Sequence, residues 1–358
     1  MTDVDTRLDA FYADLGSVDL QPLWTQVKNL LPSTPAPAAV PWLWQGETLR
    51  SLAARARDLI TIERGGERRV LALSNPGLGG APFATSTLWG AIQALGAHES
   101  APAHRHTASA IRFVLEGSGV WTTVDGDGCH MHPGDLVLTP AWTFHDHVND
   151  GDEPMIWFDG LDLPLIGSLD ASFFENHPDL NQPVRGFDLS EQMYGAGGRV
   201  PYGTTNDSPH SPLLVYRWKQ SDAILDKLLA RTGEPVASIE FVDPTSGRPA
   251  LPTMTCALHR VVPGRRTPSR RKSGSSIFVV HHGVGESVIG GQVFRWAPGD
   301  MFVVPSWVPF DHEAETTADL FEVSDEATMR ALHLFRDETL DQWQGITGVF
   351  EPRHLPPS

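Results

Sequence analysis

The chain has 358 residues, of which 41% are hydrophobic and 20% are charged, as expected of a soluble globular protein. No stretch approaches the roughly 18 apolar residues of a membrane-spanning helix, and the acidic start lacks the basic-then-apolar order of a signal peptide. A net charge of −17 argues against nucleic acid and anionic membrane as partners. The two cysteines make no disulfide framework, so a reducing cytoplasm is expected.

The predicted elements change in type along the chain. The first thirty residues predict two short helices, because their apolar residues recur at helical spacing, and a proline-rich connector follows at 32–42. From about Arg68, short runs rich in β-branched and aromatic residues predict strands. Residues 176–212 are predicted to be irregular and 221–232 helical, after which strand runs resume.

The two strand-rich halves repeat each other. FVLEGSG at 113–119 aligns with VVHHGVG at 279–285, and PGDLVLTP at 133–140 aligns with PGDMFVVP at 298–305. The two offsets, 166 and 165 residues, agree with each other. A unit of about 100 residues built from many short strands is therefore duplicated, which predicts a mainly β protein of two small barrels or jelly rolls.

A metal site is predicted in the first of these barrels. His104 and His106 are two residues apart, so on a strand they face the same way. The block GDLVLTPAWTFHDHVN at 134–149 matches the second signature of cupin barrels, in which a third ligand comes from a distant strand. His145 is the predicted third ligand, and His147, in the same strand phase, could exchange roles with it.

The predicted site is open. Many cupins add a glutamate ligand three or four residues after the first pair, but Ala110 and Ile111 stand at those places and cannot ligate. Three neutral histidines leave the charge of the cation uncompensated and about three positions vacant, whereas structural zinc sites fill all four of theirs. Such a site suits a bidentate anionic ligand together with dioxygen.

The second barrel lacks this ligand set. The places of the three predicted ligands fall on Arg270, Lys272 and Phe310. His281, His282 and His312 lie outside the pattern and are expected to serve packing or surface roles. The second barrel is therefore predicted to be metal-free and structural.

At this point the sequence resembles a known family. APAHRHTASAIRFVLEGSGVWTTVDG, MHPGDLVLTPAWTFHDH and MIWFDGLDLPL are similar to segments of the gentisate 1,2-dioxygenase family of bicupins, which includes salicylate and 1-hydroxy-2-naphthoate dioxygenases. The resemblance implies Fe(II) on His104, His106 and His145. It implies a substrate that chelates iron through its carboxylate and adjacent hydroxyl, with dioxygen at the remaining position. The ring would open between the carboxyl- and hydroxyl-bearing carbons, giving maleylpyruvate from gentisate.

Two arginines are candidates for holding the substrate carboxylate. Arg112 shares the strand phase of the histidine pair, and the resemblance assigns it this role, with Arg68 as a second cationic contact. An ion pair with a neighbouring glutamate is the alternative for Arg68. Arg69 has the opposite phase and is the weaker candidate.

Other residues are expected around the substrate. Trp89, Ala91 and Gln93 share one strand face, which by resemblance lines the pocket with Gln93 as a donor, although Trp89 could equally be core. His147 is suited to polarise the substrate hydroxyl or to protonate a bound oxygen intermediate. Asp159 is the candidate for a carboxylate that orients a histidine.

Several alternatives stay open. Asp162 competes with Asp159 for the orienting role. The substrate could be salicylate, a substituted salicylate or 1-hydroxy-2-naphthoate, and a more distant possibility is a non-oxidative or ligand-binding cupin. Related bicupins suggest a homotetramer. The predicted division is a helical arm and connector, a metal-binding cupin barrel, a linker with a helix, a second cupin barrel and a tail, at residues 1–80, 81–175, 176–235, 236–330 and 331–358.

Overall fold

A computed structural model describes residues 3–60, 69–197 and 199–355. The chain divides into two compact units, residues 1–36 and 37–358. The first unit contains the two predicted helices, α1 (Asp3–Ser17) and α2 (Leu23–Leu30). The Phe11 ring of α1 stacks on Trp24 of α2, with their centroids 6.4 Å apart.

The second unit is mainly β. Its helices are α3 (Gly46–Leu59), α4 (Leu163–Ser168), α5 (Leu189–Tyr194), α6 (Trp218–Thr232) and α7 (Glu326–Ala331). Helix α6 confirms the helix predicted at 221–232, whereas α3 was not predicted. None of the helices in the described part of the chain is long and apolar enough to cross a membrane.

The strands follow the predicted runs in both halves. Up to residue 216 they are β1 (Trp42–Trp44), β2 (Val70–Ala72), β3 (Trp89–Leu95), β4 (Ser100–His106), β5 (Ala110–Glu116), β6 (Val120–Val124), β7 (Asp127–His130), β8 (Leu136–Thr139), β9 (His145–Asn149), β10 (Met155–Leu161), β11 (Phe174–Asn176), β12 (Gly186–Phe187) and β13 (Val215–Tyr216). Beyond α6 they are β14 (Val236–Glu240), β15 (Thr255–Val261), β16 (Arg270–Lys272), β17 (Ser276–His282), β18 (Gly285–Ile289), β19 (Gln292–Trp296), β20 (Met301–Val304), β21 (Phe310–Ala314), β22 (Ala318–Ser324), β23 (Asp337–Thr339) and β24 (Gly348–Val349).

These strands form four six-stranded sheets, two for each barrel. Sheets I (β13-β8-β5-β10-β3-β2) and II (β11-β4-β9-β6-β7-β12) make the amino-proximal barrel. Sheets III (β1-β20-β17-β22-β15-β14) and IV (β23-β16-β21-β18-β19-β24) make the carboxy-proximal barrel. Strand by strand, the order in III repeats that in I and the order in IV repeats that in II. The duplication that the sequence predicted is therefore present in the topology, and the bicupin fold is confirmed.

The repeated glycines have a backbone reason. Gly117 and Gly283 follow β5 and β17 with φ of +94° and +78°, a region that favours glycine. A Cβ would lie 2.5 Å from the Pro154 carbonyl oxygen at the first position and 2.3 Å from that of Thr317 at the second. The same turn is therefore required in each half, which explains why FVLEGSG and VVHHGVG could be aligned.

One hydrophobic cluster runs between the two barrels, and each barrel has a further cluster of its own. Phe113 of β5 stacks on Phe321 of β22 with ring centroids 4.2 Å apart, and one cluster of buried residues includes side chains from sheets I and III. A reciprocal pair of hydrogen bonds adds to this contact. Thr253 donates to Asp162 Oδ2, and Thr87 donates to Asp325 Oδ2, each at 2.5 Å.

Several edge strands come from outside the predicted strand runs. Strands β12 and β13 and helix α5 lie in or next to the segment predicted to be irregular, and β23 and β24 lie in the predicted tail. Strand β1, which precedes the amino-proximal barrel in sequence, pairs with β20 of the carboxy-proximal barrel. The boundaries assigned to the five predicted segments stay a prediction.

Candidate functional site

Three histidines from two neighbouring strands of sheet II converge inside the amino-proximal barrel. His104 and His106 lie on β4, and His145 opens β9 with its Cα opposite that of His104. The pairing shifts register between Ala101 and His104, an irregularity of the kind that re-aims side chains. One ring nitrogen from each histidine lies within 4.8 Å of the other two. The structure thus brings the three predicted ligands together.

Hydrogen bonds fix the orientation of all three rings. Each Nδ1 lies near a backbone carbonyl oxygen two residues away: His104 at 2.9 Å from Pro102, His106 at 2.7 Å from Ala108, and His145 at 3.0 Å from Thr143. Because a carbonyl oxygen can only accept, each Nδ1 carries a proton, and in the neutral ring the lone pair is then on Nε2. Such lone pairs are what metal ions bind in proteins.

His145 shows that this arrangement fits a cation. Its Nε2 is buried and has no hydrogen-bond partner among the described residues. Burial, and next the nearby Arg112, holds the pKa of His145 well below its ordinary value, so the ring is neutral. A buried nitrogen lone pair without a partner is unfavourable, and a coordinated cation would satisfy it. The histidine trio could therefore bind a metal ion.

Among the described residues, the group that could hold a metal ion consists of these three histidines. Ala110 lines the adjoining cavity and Ile111 is fully buried in the core, so neither place offers a carboxylate. With three protein ligands, a bound metal would keep coordination positions for small molecules, as catalytic sites do and structural sites do not. The cavity beside the trio has a volume of about 130 Å³.

Arg112 lines this cavity and is nearly buried, at 4% exposure. Its Nη1 donates to the hydroxyl of Thr139, while its Nε lies 3.5 Å from Asp159 Oδ1 and has no hydrogen-bond partner among the described residues. Asp159 Oδ1 accepts from Trp157 Nε1 at 3.0 Å. Burial raises the pKa of Asp159 to about 6, although Arg112 acts in the opposite direction. The cavity thus contains a cation with an unused donor.

Asp159 is placed differently from the prediction. Its Cα lies opposite that of Arg112 across the β10–β5 pair, and its carboxylate contacts the guanidinium and the Trp157 indole. It is therefore better suited to position the arginine than to orient a histidine. Its competitor Asp162 accepts from the backbone N–H of Ser109 and, as described above, from the Thr253 hydroxyl across the barrel contact. That aspartate belongs to the barrel contact.

His147 lies beside the trio, on β9, and lines the same cavity. Its Nδ1 is 2.8 Å from the Thr122 hydroxyl, which in turn donates to Met131 Sδ at 3.1 Å. A hydroxyl has one proton, so a hydroxyl that donates to sulfur must accept from the Nδ1–H of His147. In the neutral ring, the lone pair of His147 is then on Nε2. The ring is held in a tautomer that can accept a proton.

One face of strand β3 also contributes to the site. Trp89 and Gln93 line the cavity, and Gln93 is 6% exposed. Ala91 lies between them in sequence, fully buried and with its Cα opposite that of Asp159, but it is not part of the described cavity lining.

The second predicted cation, Arg68, lies outside the described residues. Its neighbour Arg69 is described, and it pairs with Glu99 and donates to the carbonyl oxygen of Arg57. Val70, next along the chain, lines the cavity. Side chains alternate along a strand, so the opposite phase predicted for Arg69 agrees with its position away from the cavity.

Sequence reasoning missed several contacts of the site. Thr139 and Thr122 bond to Arg112 and His147 from other strands. Phe174 of β11 stacks over His104, with ring centroids 5.4 Å apart. No local motif marks these residues, because strand register brings them to the site; the threonines stand in predicted strand runs and Phe174 does not.

The fold and the site together define the class of protein. A duplicated jelly-roll barrel with a trio of convergent imidazoles in one copy, beside a buried arginine, is a bicupin able to bind one metal ion. The profile of the cupin domain matches both halves, at residues 91–161 and 257–323.

Relatives define the family more narrowly. The chain is 49% identical to a gentisate 1,2-dioxygenase of a Streptomyces species, over 92% of this chain and 94% of the relative. It is 37% identical to a 5-aminosalicylate 1,2-dioxygenase of a Comamonas species, over 97% and 95%. The crystal structure of a gentisate adduct of salicylate 1,2-dioxygenase from Pseudoaminobacter salicylatoxidans matches with a TM-score of 0.89 and 42% identity, covering 94% of each chain. The chain belongs to the gentisate 1,2-dioxygenase family of ring-cleaving dioxygenases.

Proposed function

We propose that the protein is an Fe(II)-dependent dioxygenase that opens gentisate between its carboxyl- and hydroxyl-bearing carbons, giving maleylpyruvate. The observation that carries this proposal is the convergent histidine trio, which lines a cavity together with a buried arginine that has an unused donor. A ferrous ion held by His104, His106 and His145 would supply the coordination of substrate and dioxygen and the electron transfer between them.

Arg112 is proposed to bind the substrate carboxylate. Its Nε is buried without a hydrogen-bond partner among the described residues, and Thr139 and Asp159 hold the guanidinium in place. A charge-assisted hydrogen bond inside a dry cavity is among the stronger polar contacts. It would orient the ring so that the adjacent hydroxyl points to the metal position.

His147 is proposed to manage the proton of that hydroxyl. Its Nδ1 is occupied by Thr122, so Nε2 is the atom that can accept the phenolic proton and later return one to an oxygen. Gln93 is proposed as a hydrogen-bond donor and Trp89 as an apolar wall of the cavity. Arg68 stays a candidate second cation. Ala91 is proposed to act indirectly, through the packing of Asp159.

The choice of substrate rests on the activities of the relatives and on the volume of the cavity. The 49% identical relative is a gentisate 1,2-dioxygenase. A cavity of about 130 Å³ favours a single-ring acid over 1-hydroxy-2-naphthoate. Salicylate and 5-aminosalicylate are the second candidates, because proteins 42% and 37% identical to this one are dioxygenases of those acids.

The proposal is tested by oxygen uptake. Protein reconstituted anaerobically with Fe(II) is mixed with gentisate, salicylate, 5-aminosalicylate and 1-hydroxy-2-naphthoate, and uptake is recorded together with the product spectrum. Gentisate is expected to give the highest kcat/KM. Uptake with none of the four acids, in protein shown to contain iron, would contradict the dioxygenase proposal.

We also propose a cytoplasmic homotetramer. The family resemblance suggests the assembly, and α1 and α2 expose large apolar side chains, including Phe11 and Trp24, that a neighbouring subunit could cover. Light scattering of the purified protein would show a mass four times that of the chain.

A further inference from the structure

The carboxy-proximal barrel contains a cavity of its own. Its volume is about 290 Å³, close to the lower end, roughly 300 Å³, of small-molecule sites. The residues that line it include His259, Arg270, Lys272, Phe278, Phe310 and His312. It lies inside the barrel formed by sheets III and IV.

This cavity occupies the place that the metal site has in the other barrel. The Cα of Arg270 lies opposite that of Phe310, as His104 lies opposite His145. Lys272, two residues after Arg270 on β16, corresponds to the second histidine of the pair. Where one barrel has three histidines that could hold a metal ion, the other has two cationic side chains on one strand face. Two carboxylates, Asp337 and Glu322, also line the cavity and pair with these cations, so an anion would depend on the donors that those pairs leave unused.

Lys272 is charged and retains donor capacity. Its Nζ lies 2.7 Å from Glu322 Oε1 and 3.3 Å from Glu326 Oε2. Burial lowers the pKa of this lysine, but the two carboxylates more than offset that and hold it above its ordinary value. An ammonium group has three N–H donors, so a third acceptor can be added beside these two.

Arg270 offers a second donor. Its Nε is buried and has no hydrogen-bond partner in the described part of the chain. Its Nη2 donates to Asp337 at 2.8 Å, in an ion pair whose side chains are 43% and 39% exposed. Exposed pairs of this kind contribute little, so an incoming carboxylate can compete with Asp337 for the guanidinium.

Part of the remaining wall is aromatic. The rings of Phe278 and Phe310 lie with centroids 6.1 Å apart, and the His312 ring lies 5.2 Å and 5.5 Å from them. A planar ring packed among them would bury apolar surface in favourable geometry. We propose that this cavity binds a small aromatic carboxylate without a metal ion, with its carboxylate on Arg270 and Lys272 and its ring against Phe278 and Phe310.

Benzoate binding to the iron-loaded protein tests this, independently of whether the metal site turns over gentisate. Equilibrium dialysis counts the benzoate bound per chain in the wild type, Arg270→Gln and Asp337→Asn. Both substitutions are at partly exposed side chains outside the metal site, so kcat and KM for oxygen uptake should stay unchanged and serve as the folding control. R270Q should weaken one class of benzoate site at least about tenfold, and D337N should tighten the same class because it releases the guanidinium.

The opposite signs of these two effects are the decisive result. Equal benzoate binding in wild type, R270Q and D337N would overturn the proposal. Should R270Q fail to fold, Thr339→Trp replaces it, because Thr339 is exposed on β23 and lines the mouth of the cavity. Loss of one bound benzoate per chain in T339W supports the site, and an unchanged count refutes it.

Discussion

Replacing Arg112 by Met tests the proposed carboxylate contact most directly. The side chain is 4% exposed, and its Nε has no hydrogen-bond partner among the described residues. A hydrogen bond to a charged group contributes roughly 1.5–3 kcal/mol, which corresponds to about 12- to 160-fold in kcat/KM. We expect kcat/KM for gentisate to fall by a factor in that range. If the contact stabilises the ground state and the transition state equally, most of the change will be an increase in KM.

Two controls separate this effect from misfolding. Arg112→Met leaves the Asp159 carboxylate buried without its cation, so the double variant R112M with Asp159→Asn is measured beside D159N alone. Arg69→Met removes another buried arginine, one that pairs with Glu99 away from the cavity, and should lower the unfolding temperature with little change in KM.

The assay is oxygen uptake at varied gentisate, with iron content and thermal unfolding recorded for every variant. The reasoning is refuted if R112M retains its iron and its kcat/KM stays within about threefold of the wild type, since that change is smaller than the loss of one charged hydrogen bond. A loss equally large in R69M would show instead that the effect is structural.

Three further predictions concern the metal, a proton and the barrel contact. His106→Ala should lose iron, measured by elemental analysis, while its circular dichroism spectrum is retained; full iron occupancy would remove His106 from the ligand set. Thr122→Val, nearly isosteric, should leave iron content unchanged but lower kcat and shift its pH profile, because His147 loses its Nδ1 partner; an unaltered profile would contradict that role. Burial raises the pKa of Asp162 to about 6 from a value near 4 in the unfolded chain. The folded protein therefore binds this proton more tightly, and its stability should fall by about 2 kcal/mol as pH rises from about 4 to about 6. Urea unfolding of Asp162→Asn should lack this component, and an identical pH slope in variant and wild type would disprove it.

The ligand trio could be predicted because its information is local. His104 and His106 are two residues apart, and the spacing from Gly134 to Asn149 favours His145 over His147 without any knowledge of strand pairing. The duplication gave a second, internal comparison, and the structure confirms it: Arg270 lies opposite Phe310 as His104 lies opposite His145.

The environment of the trio could not be predicted, because it depends on register between strands far apart in sequence. Asp159 meets Arg112 only because β10 and β5 pair in one particular alignment. His312 was taken to lie outside the pattern, yet its Nδ1 lies 2.7 Å from the Ser287 hydroxyl, much as His147 bonds to Thr122. His281, for which a packing or surface role was expected, lies between the rings of Phe113 and Trp218.

Helix α3 was missed for a different physical reason. Its buried residues are Gly46, Leu49 and Ala53, and two of these three are too small to give a clear apolar periodicity. The start of the helix is fixed by tertiary structure, since the backbone N–H of Gly46 donates to Asp300 Oδ1 at 2.7 Å. A side chain at that glycine would collide with the backbone of Gly299. Such a constraint, between residues far apart in the chain, leaves no local pattern.

The contact between the barrels determines how the protein will respond to truncation and to substitutions in the contact. Each half covers an apolar sheet of the other, through the Phe113–Phe321 stack and the paired threonine–aspartate bonds. A fragment that contains only the amino-proximal barrel would expose this apolar surface to water and aggregate. Substitutions near Phe321 would lower the amount of folded enzyme in the cell without changing the residues of the candidate site. The carboxy-proximal barrel is thus expected to be necessary for the stability of the amino-proximal barrel.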